Sequence, residues 1–293
     1  MSNDLPYLVD KFLLQLKEQK HRSSLTARNY RLYLLRFLSW LNRETKTKAE
    51  PPDISLQLVG KFHRWLASRS LSQLSLSAAT QNYHLIALRS FLRFLNEQKI
   101  NSLNPKAVKL EPAGEHRVMT IKAAELARLL EAPLKSQESN LVKLRDRALL
   151  ELICATGLKV SALVRLAQHN LSADGTIINI LLKNATTKSN FILSHQAQHH
   201  LKQYREARHD KNPALFVRHD RANKTKEAAL TARSMQRILE KYRQLAGLKE
   251  KITPSVLRHT YALNLINKGT DLKVVQELLG HRHLATTKIY QNP

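Results

Sequence analysis

Apolar residues recur at helical spacing in four segments of the first hundred residues: LVDKFLLQLKEQ, LTARNYRLYLLRFLSWLNRE, PPDISLQLVGKFHRWLASRS and LSAATQNYHLIALRSFLRFLNEQK. Intervals of three and four residues between apolar positions are typical of amphipathic helices. One face of the fourth segment carries four leucines: Leu85, Leu88, Leu92 and Leu95. Ser77 precedes that segment as a candidate N-cap, and Ser24 or Thr26 lies at the start of the second. The pattern predicts an N-terminal domain of four helices over residues 1–103.

The pattern changes after this domain. Residues 104–118 carry two prolines, a glycine and mixed charges, and this composition favours a linker. Beyond it, apolar periodicity predicts helices at 121–131, 140–155, 195–208, 231–246, 254–268 and 271–279. The β-branched and apolar stretches TIINILLK and SNFILS flank the polar NATTK and predict a β-hairpin. The fold class is therefore mainly α with two domains, and the second, over residues 119–293, is α+β.

The charge of the chain points to a polyanionic partner. The net charge is +25, from 48 Lys and Arg against 23 Asp and Glu. The excess is +10 before residue 112 (18 basic, 8 acidic) and +15 after it (30 basic, 15 acidic), so both domains are basic. Solubility needs much less charge than this, and nucleic acid is favoured over a merely basic surface or an anionic membrane.

Composition also bears on the compartment. Cys154 is the single cysteine and lies in the apolar run LLELICATGL, where a small buried hydrophobe is the expected role. The N-terminal residues carry charges throughout, unlike a signal peptide, and no apolar run approaches the roughly 20 residues of a membrane span. These features predict a cytoplasmic protein with no membrane partner.

Three stretches hold more reactive residues than packing requires. They are ATGLKVSALVRL with Lys159, TPSVLRHTYALNLI with Arg258 and His259, and the terminal LLGHRHLATTKIYQNP with His281 and Tyr290. Each alone is more often structural. Together they supply what phosphoryl transfer needs: cations for phosphate oxygens, a proton donor and a nucleophile. Tyrosine is a suitable nucleophile where cations stabilise its phenolate.

Other kinds of chemistry find little support in the sequence. It holds no acidic cluster, no histidine spacing suited to zinc and no glycine-rich nucleotide loop, so neither a metal nor another cofactor is expected. Arg89 and Arg93, four apart on one line of the fourth helix, are candidate phosphate contacts, as are Arg28 and Arg31 on the second helix. A solvated basic face is the simpler interpretation of these arginines, but the overall charge of the chain favours phosphate contacts.

The three stretches, in this order, resemble the tyrosine recombinases of the phage-integrase type, closest to the Xer-like branch. RDRALLELICATGLKVSALVRL resembles the segment of the first catalytic arginine, and residues 253–290 resemble the C-terminal catalytic box. LSAATQNYHLIALRSFLRFLNEQKINSLNP resembles the last helix of the family's N-terminal core-binding domain, which has a SAM-like fold. The resemblance implies a site-specific recombinase that cuts and rejoins double-stranded DNA, without a cofactor, as a homotetramer on paired sites.

The resemblance also implies roles for individual residues. Tyr290 would attack a scissile phosphate to give a 3′-phosphotyrosyl link, Arg258 would clamp non-bridging oxygens, and His281 would donate a hydrogen bond to the phosphate. A lysine in the hairpin turn would protonate the leaving 5′-hydroxyl. In KNATTK this lysine is Lys183 or Lys188, with Lys183 preferred.

The sequence departs from the family pattern at several positions. Lys159 replaces the first arginine and loses its planar two-pronged grip on phosphate, and Ala162 replaces a glutamate. Ser255 replaces a histidine three residues before Arg258, and a serine hydroxyl does not shuttle protons near neutral pH. His259 lies about 100° further round the helix than Arg258 and is not expected to substitute.

Two functional hypotheses remain from the sequence. The first is a recombinase slowed by Lys159 and Ser255; the alternative is a catalytically degenerate, recombinase-derived DNA-binding protein. A helix-turn-helix regulator would leave the terminal tyrosine pattern unexplained. Xer-like relatives continue past the tyrosine into a helix that docks on a neighbour, whereas three residues follow Tyr290 here, so coupling between subunits is expected to differ.

Overall fold

The computed structural model describes residues 4–18, 24–68, 76–112, 118–182, 188–219 and 228–291. The chain divides into two compact units, Met1–His116 and Arg117–Pro293. Each unit has its own apolar core. The predicted mainly helical, two-domain fold class is confirmed.

The described part of the N-terminal unit contains four α-helices: α1 Leu5–Glu18, α2 Ser24–Thr45, α3 Leu56–Ala67 and α4 Ala78–Glu97. Ser77 caps α4 as predicted, since its side-chain oxygen accepts a hydrogen bond from the backbone N–H of Thr80 at 3.3 Å. The four leucines of its predicted apolar face are all buried. Aromatic rings fill the space between the helices, and Phe37 meets Phe62 edge to face with ring centroids 5.0 Å apart.

Part of the predicted linker packs on this N-terminal unit. Val108 is buried in its core. The Asn82 side chain of α4 donates to the carbonyl oxygen of Glu111 at 2.9 Å and accepts from its N–H at 3.0 Å. The two hydrogen bonds fix the chain to α4, so the N-terminal unit extends beyond residue 103.

The C-terminal unit is helical apart from one hairpin. Its described elements are α5 Ala123–Lys135, α6 Asn140–Thr156, α7 Val160–Leu163, β1 Ile177–Ile180, β2 Ser189–Ile192, α8 His195–Glu206, α9 Ala232–Leu245, α10 Pro254–Asn267, α11 Leu272–Leu279 and α12 Ala285–Lys288. The strands pair antiparallel, with Ile177 opposite Ile192 and Ile180 opposite Ser189. The predicted hairpin is therefore present, although the turn lysine Lys183 lies outside the described residues.

Helix α6 is the centre of the C-terminal unit and packs against α5, α8 and α10. It buries an ion pair in which Arg145 Nε donates to Asp146 Oδ1 at 2.7 Å. The Tyr242 hydroxyl of α9 donates to Asp146 Oδ2 at 2.8 Å, so the buried carboxylate is satisfied on both oxygens. Cys154 packs against this core, and burial raises the pKa of its thiol to about 12, which suits a hydrophobe rather than a nucleophile.

In the ranges given above, none of the described helices is both long enough and apolar enough to cross a membrane.

Candidate active site

A left-handed turn at the end of α6 positions Lys159. Gly157 ends the helix with φ +57° and ψ 20°, a conformation that glycine adopts without strain. The chain then reaches Lys159, the N-cap residue of the short helix α7, whose side chain is exposed. The predicted Thr-Gly turn followed by a helix is therefore present, and it brings an ammonium group to the surface at this point.

The N-terminus of α10 presents the second group of candidates. The Thr253 side chain caps the helix by accepting from the N–H of Val256 at 3.3 Å, and Pro254 occupies the first turn. Ser255 is exposed and His259 is partly buried, whereas Arg258 is only 8% exposed. The first turns of α10 therefore direct Arg258 inward and leave Ser255 accessible.

Arg258 is held by three acceptors from two segments, the turn after α6 and the end of α11. Its Nη1 donates to the carbonyl oxygen of Gly157 at 2.8 Å, and its Nη2 donates to the carbonyl oxygen of Leu279 and to His281 Nε2, the latter at 3.0 Å. Burial lowers the pKa of the guanidinium to about 10, with some compensation from Tyr290 and Tyr261, so it stays charged at neutral pH. Arginine has five N–H donors, and these three contacts leave two for phosphate oxygens.

His281 stands at the end of α11, immediately after Gly280, which caps the helix with φ +60°. An arginine can only donate, so His281 Nε2 accepts from Arg258 and the proton is assigned to Nδ1, which donates to Thr287 Oγ1 at 2.9 Å. Burial first, then the charges of Arg258 and Lys159, lower the pKa of His281 to about 4. Both nitrogens of the neutral ring form hydrogen bonds in this structure. His281 can therefore donate to a phosphate only if the hydrogen bond from its Nδ1 to Thr287 is broken.

Tyr290 is a buried residue with a satisfied hydroxyl. It is 2% exposed and packs on Ala262, Val275 and Leu279. Its Oη lies 2.7 Å from His259 Nδ1. Burial raises the pKa of the phenol, and the charge of Arg258 offsets part of this increase. Tyr290 is thus a core residue of α10–α12 and also directs its hydroxyl to a titratable partner.

The contact between His259 and Tyr290 was not predicted from the sequence, where His259 is not expected to substitute for the histidine missing at 255. The predicted rotation of about 100° relates His259 to Arg258, but Ser255 is four residues away from His259 and only about 40° distant around the helix. The i, i+4 spacing of these two residues is the sequence signal that would have placed His259 on the face of Ser255.

One pocket of about 400 Å³ collects most of the predicted residues. It is lined by Lys159, Val160, Ser161, Pro254, Ser255, Arg258, His259, His281, Thr286, Ile289 and Tyr290. Lys188 is exposed just before β2 and does not line this pocket.

The arginines predicted to contact DNA lie on α2 and α4 of the N-terminal unit. Three of them are exposed, Arg28, Arg31 and Arg93, and Arg89 is partly buried. Among the described residues no three His, Cys, Asp or Glu side chains are arranged to hold a metal ion.

The chain is similar to known proteins along nearly its whole length. The tyrosine recombinase XerC of Pelotomaculum thermopropionicum is 33% identical over 297 residues, which cover 96% of this chain and 92% of the relative. XerC of Thermodesulfovibrio yellowstonii is 31% identical and covers 99% of this chain and 92% of its own length. Among solved structures, the post-cleavage complex of the XerH site-specific recombinase with a palindromic difH substrate aligns with a TM-score of 0.74 at 25% identity, covering 97% of this chain and 80% of that one.

Family models match both units. The N-terminal SAM-like domain of phage integrases matches residues 9–99. The model of the phage integrase family itself matches residues 119–293, which include the whole pocket and the carbonyl groups that hold Arg258. With this match over more than half of its length, the chain belongs to the phage integrase family.

Proposed function

We propose that this chain is a site-specific DNA recombinase of the tyrosine type, with Tyr290 as its nucleophile. The observation that carries the proposal is the convergence of Arg258, His281 and Tyr290 on one pocket from positions 23 and 9 residues apart in sequence. A phosphoryl-transfer site needs a buried cation, a hydrogen-bonding group and a nucleophile within reach of one phosphorus atom, and this pocket holds all three.

The chemistry follows from these groups. Tyr290 Oη attacks the scissile phosphorus, forms a 3′-phosphotyrosyl bond and releases a 5′-hydroxyl. Attack by a 5′-hydroxyl of another strand reverses the step, so the bond energy is conserved and no nucleotide cofactor is needed. Arg258 uses its two remaining N–H donors on the non-bridging oxygens. The hairpin lysine, Lys183 in preference to Lys188, protonates the leaving oxygen.

The substitutions at Lys159 and Ser255 reduce the rate rather than remove the reaction. Both line the pocket, and the charge of Lys159 already acts on His281. Lysine supplies charge to the phosphate but not a planar pair of donors. Losing one such donor pair costs about 100- to 1000-fold in rate.

Double-stranded DNA is the partner that the charge of +25 favours. The exposed arginines of α2 and α4, Arg28, Arg31 and Arg93 with the partly buried Arg89, are assigned to phosphate contacts of the N-terminal unit. Assembly on paired sites as a homotetramer and a cytoplasmic location complete the proposal.

The deciding experiment traps the covalent intermediate. A bound duplex is first selected from a random-sequence pool, and its central positions are then nicked to give suicide substrates. We expect wild-type protein to form an adduct that resists SDS and denaturing electrophoresis. Tyr290→Phe abolishes it. Tyr7→Phe, which alters a 55%-exposed tyrosine of α1, is the matched control and retains it.

The outcomes separate the two functional hypotheses. An adduct that depends on Tyr290 establishes the recombinase chemistry. Tight, selective binding without an adduct on any nicked substrate would contradict the recombinase chemistry. It would establish the alternative, a recombinase-derived DNA-binding protein.

A further inference from the structure

We propose that His259 is the general base that takes the proton of Tyr290 during DNA cleavage, in place of the residue lost at position 255. The inference rests on the proposed recombinase function and goes beyond it by assigning a catalytic role to His259. Its geometric basis is the distance of 2.7 Å between His259 Nδ1 and Tyr290 Oη, which is within the range required of a general base.

The other groups near Tyr290 are poorer acceptors. Over the described ranges, the Tyr290 hydroxyl forms a hydrogen bond to His259 alone. His281 is unsuited in this arrangement, because its Nε2 already accepts from Arg258 and its Nδ1 carries the proton given to Thr287. A Ser255 hydroxyl does not hold a second proton near neutral pH. His259 is therefore the described group with both the position and the chemistry to accept.

The surroundings of His259 keep its imidazole ready to accept. Burial first, then the charge of Arg258, lower the pKa of His259 below its ordinary value, so the ring is neutral at pH 7. With Nδ1 as the acceptor, the ring proton resides on Nε2. The titratable and charged groups that share the pocket with His259 are Arg258, Lys159, His281 and Tyr290. The positive charge of Arg258 disfavours an imidazolium at His259 until a phosphate brings negative charge into the pocket.

The step balances with groups already assigned. A lone pair of Tyr290 Oη forms the bond to phosphorus as the P–O5′ bond breaks. The phenolic proton moves to His259 Nδ1, and the departing 5′-oxygen receives a proton from the hairpin lysine. In rejoining, a 5′-hydroxyl returns its proton to the lysine, and His259 returns its proton to the released phenolate.

The position of His259 explains how the site tolerates Ser255. The two residues are one turn apart on α10, about 40° from each other around the helix, and both line the pocket. An imidazole at 259 thus approaches the same space from the next turn. A second histidine at 255 would supply an alternative acceptor, and this makes the assignment testable by combining substitutions.

The experiment compares His259→Gln with His283→Gln, which removes an exposed histidine outside the pocket. Adduct formation is measured on nicked DNA with a normal 5′-oxygen and with a bridging 5′-sulfur, which leaves without protonation. We expect His259→Gln to slow cleavage about 100-fold or more with either leaving atom, because the lost function lies on the nucleophile. His283→Gln keeps the wild-type rate, and Ser255→His recovers part of the loss in the His259→Gln background.

A second readout needs no substitution and separates chemistry from positioning. As the pH is raised from acid, the wild-type cleavage rate increases tenfold per pH unit because protonated His259 loses its proton. The rate reaches its plateau before pH 6.5, since the pKa of His259 lies below its ordinary value. In His259→Gln, with DNA affinity and circular dichroism unchanged, this rise disappears.

The results distinguish this inference from the function on which it rests. A Tyr290-dependent adduct in wild type, together with less than threefold slowing in His259→Gln or an unchanged acid limb, overturns the role of His259 and leaves the recombinase assignment intact. Absence of any adduct in wild type overturns both.

Discussion

Arg258 Nη1 donates a hydrogen bond to the carbonyl oxygen of Gly157 at 2.8 Å, although 101 residues separate them in sequence. Gly157 also lies against the ring of Tyr261, and a Cβ atom built on it would meet Tyr261 Cδ1 at 2.3 Å. The turn that leads to Lys159 is thus fitted to α10 by a hydrogen bond and by close packing. Two cationic candidates of the pocket therefore depend on one glycine.

The first prediction concerns Gly157→Ala. The substitution combines a positive φ with a clash against an aromatic ring, so we expect it to lower the free energy of unfolding by about 2–4 kcal/mol. Gly269→Ala is the matched control: its φ is +80°, but nothing lies within 4 Å of an added Cβ. The control should lose only about 1–2 kcal/mol. Equal losses in urea unfolding would mean that the Tyr261 contact is unimportant.

The second prediction concerns Lys159→Arg. Because arginine restores two parallel donors at a position that already lines the pocket, adduct formation should rise by about 10- to 1000-fold. Adding Ser255→His should increase it further. Lys268→Arg, an equivalent exchange at an exposed position outside the pocket, controls for general effects of arginine on DNA binding. No gain from the double variant would show that these positions do not correspond to the family's arginine and histidine.

Structural features that depend on residues close in sequence were predicted correctly, whereas features that depend on tertiary contacts were not. Helix α4 was predicted with its cap because Ser77 and the periodic leucines are local signals. The short helices α7 and α12 have four residues each, too few for a periodic pattern, and α12 was not predicted. The packing of Val108 against the N-terminal core likewise leaves no local pattern.

At the site, the candidate side chains could be predicted from the sequence, but their hydrogen bonds could not. Motif spacing singled out Arg258, His281 and Tyr290, which do line one pocket. The carbonyl oxygens that occupy Arg258, from Gly157 and Leu279, belong to the backbone and have no residue signature. The hydrogen bond between His259 and Tyr290 depends on how α10 packs against the end of the chain. The angular position of His259 on its helix does not predict this tertiary contact.

The third prediction identifies the hairpin lysine. We expect Lys183→Ala to reduce cleavage of an ordinary phosphodiester about 100-fold or more, since an alkoxide is a poor leaving group without a proton. A bridging 5′-sulfur should restore its rate to within a few-fold of wild type. Lys188→Ala is the paired variant and should cleave both substrates normally. The reverse pattern would transfer the role to Lys188.

The fourth prediction concerns stability in acid. The folded state holds the pKa of His281 near 4, below its ordinary value of 6.5, so the unfolded chain binds the proton more readily. The contribution to stability is constant above pH 6.5 and is lost as the pH falls from 6.5 towards 4. The urea midpoint, followed by circular dichroism, should therefore fall over this window and fall less in His281→Gln.

Two optical signals separate the unfolding of the two units. Both tryptophans, Trp40 and Trp65, lie in the N-terminal unit, so their fluorescence follows that unit alone, whereas circular dichroism also follows the C-terminal unit that contains His281. His283→Gln should keep the wild-type pH dependence, because its side chain is exposed. If His281→Gln retains the full acid-induced fall, the loss arises at other buried histidines, such as His200 and His219, whose pKa values burial also lowers.

The fifth prediction concerns DNA affinity. Arg89 and Arg93 lie one turn apart on α4, with Arg93 exposed, and each is expected to contact one phosphate. The slope of log K against log salt should therefore become shallower by about 1.8 in the Arg89→Gln/Arg93→Gln variant, at about 0.9 for each phosphate. Lys46→Gln/Lys48→Gln removes the same charge from exposed positions of the same unit and should change the slope little. Equal changes in both variants would show that α4 contributes through the general field of the protein rather than through direct contacts.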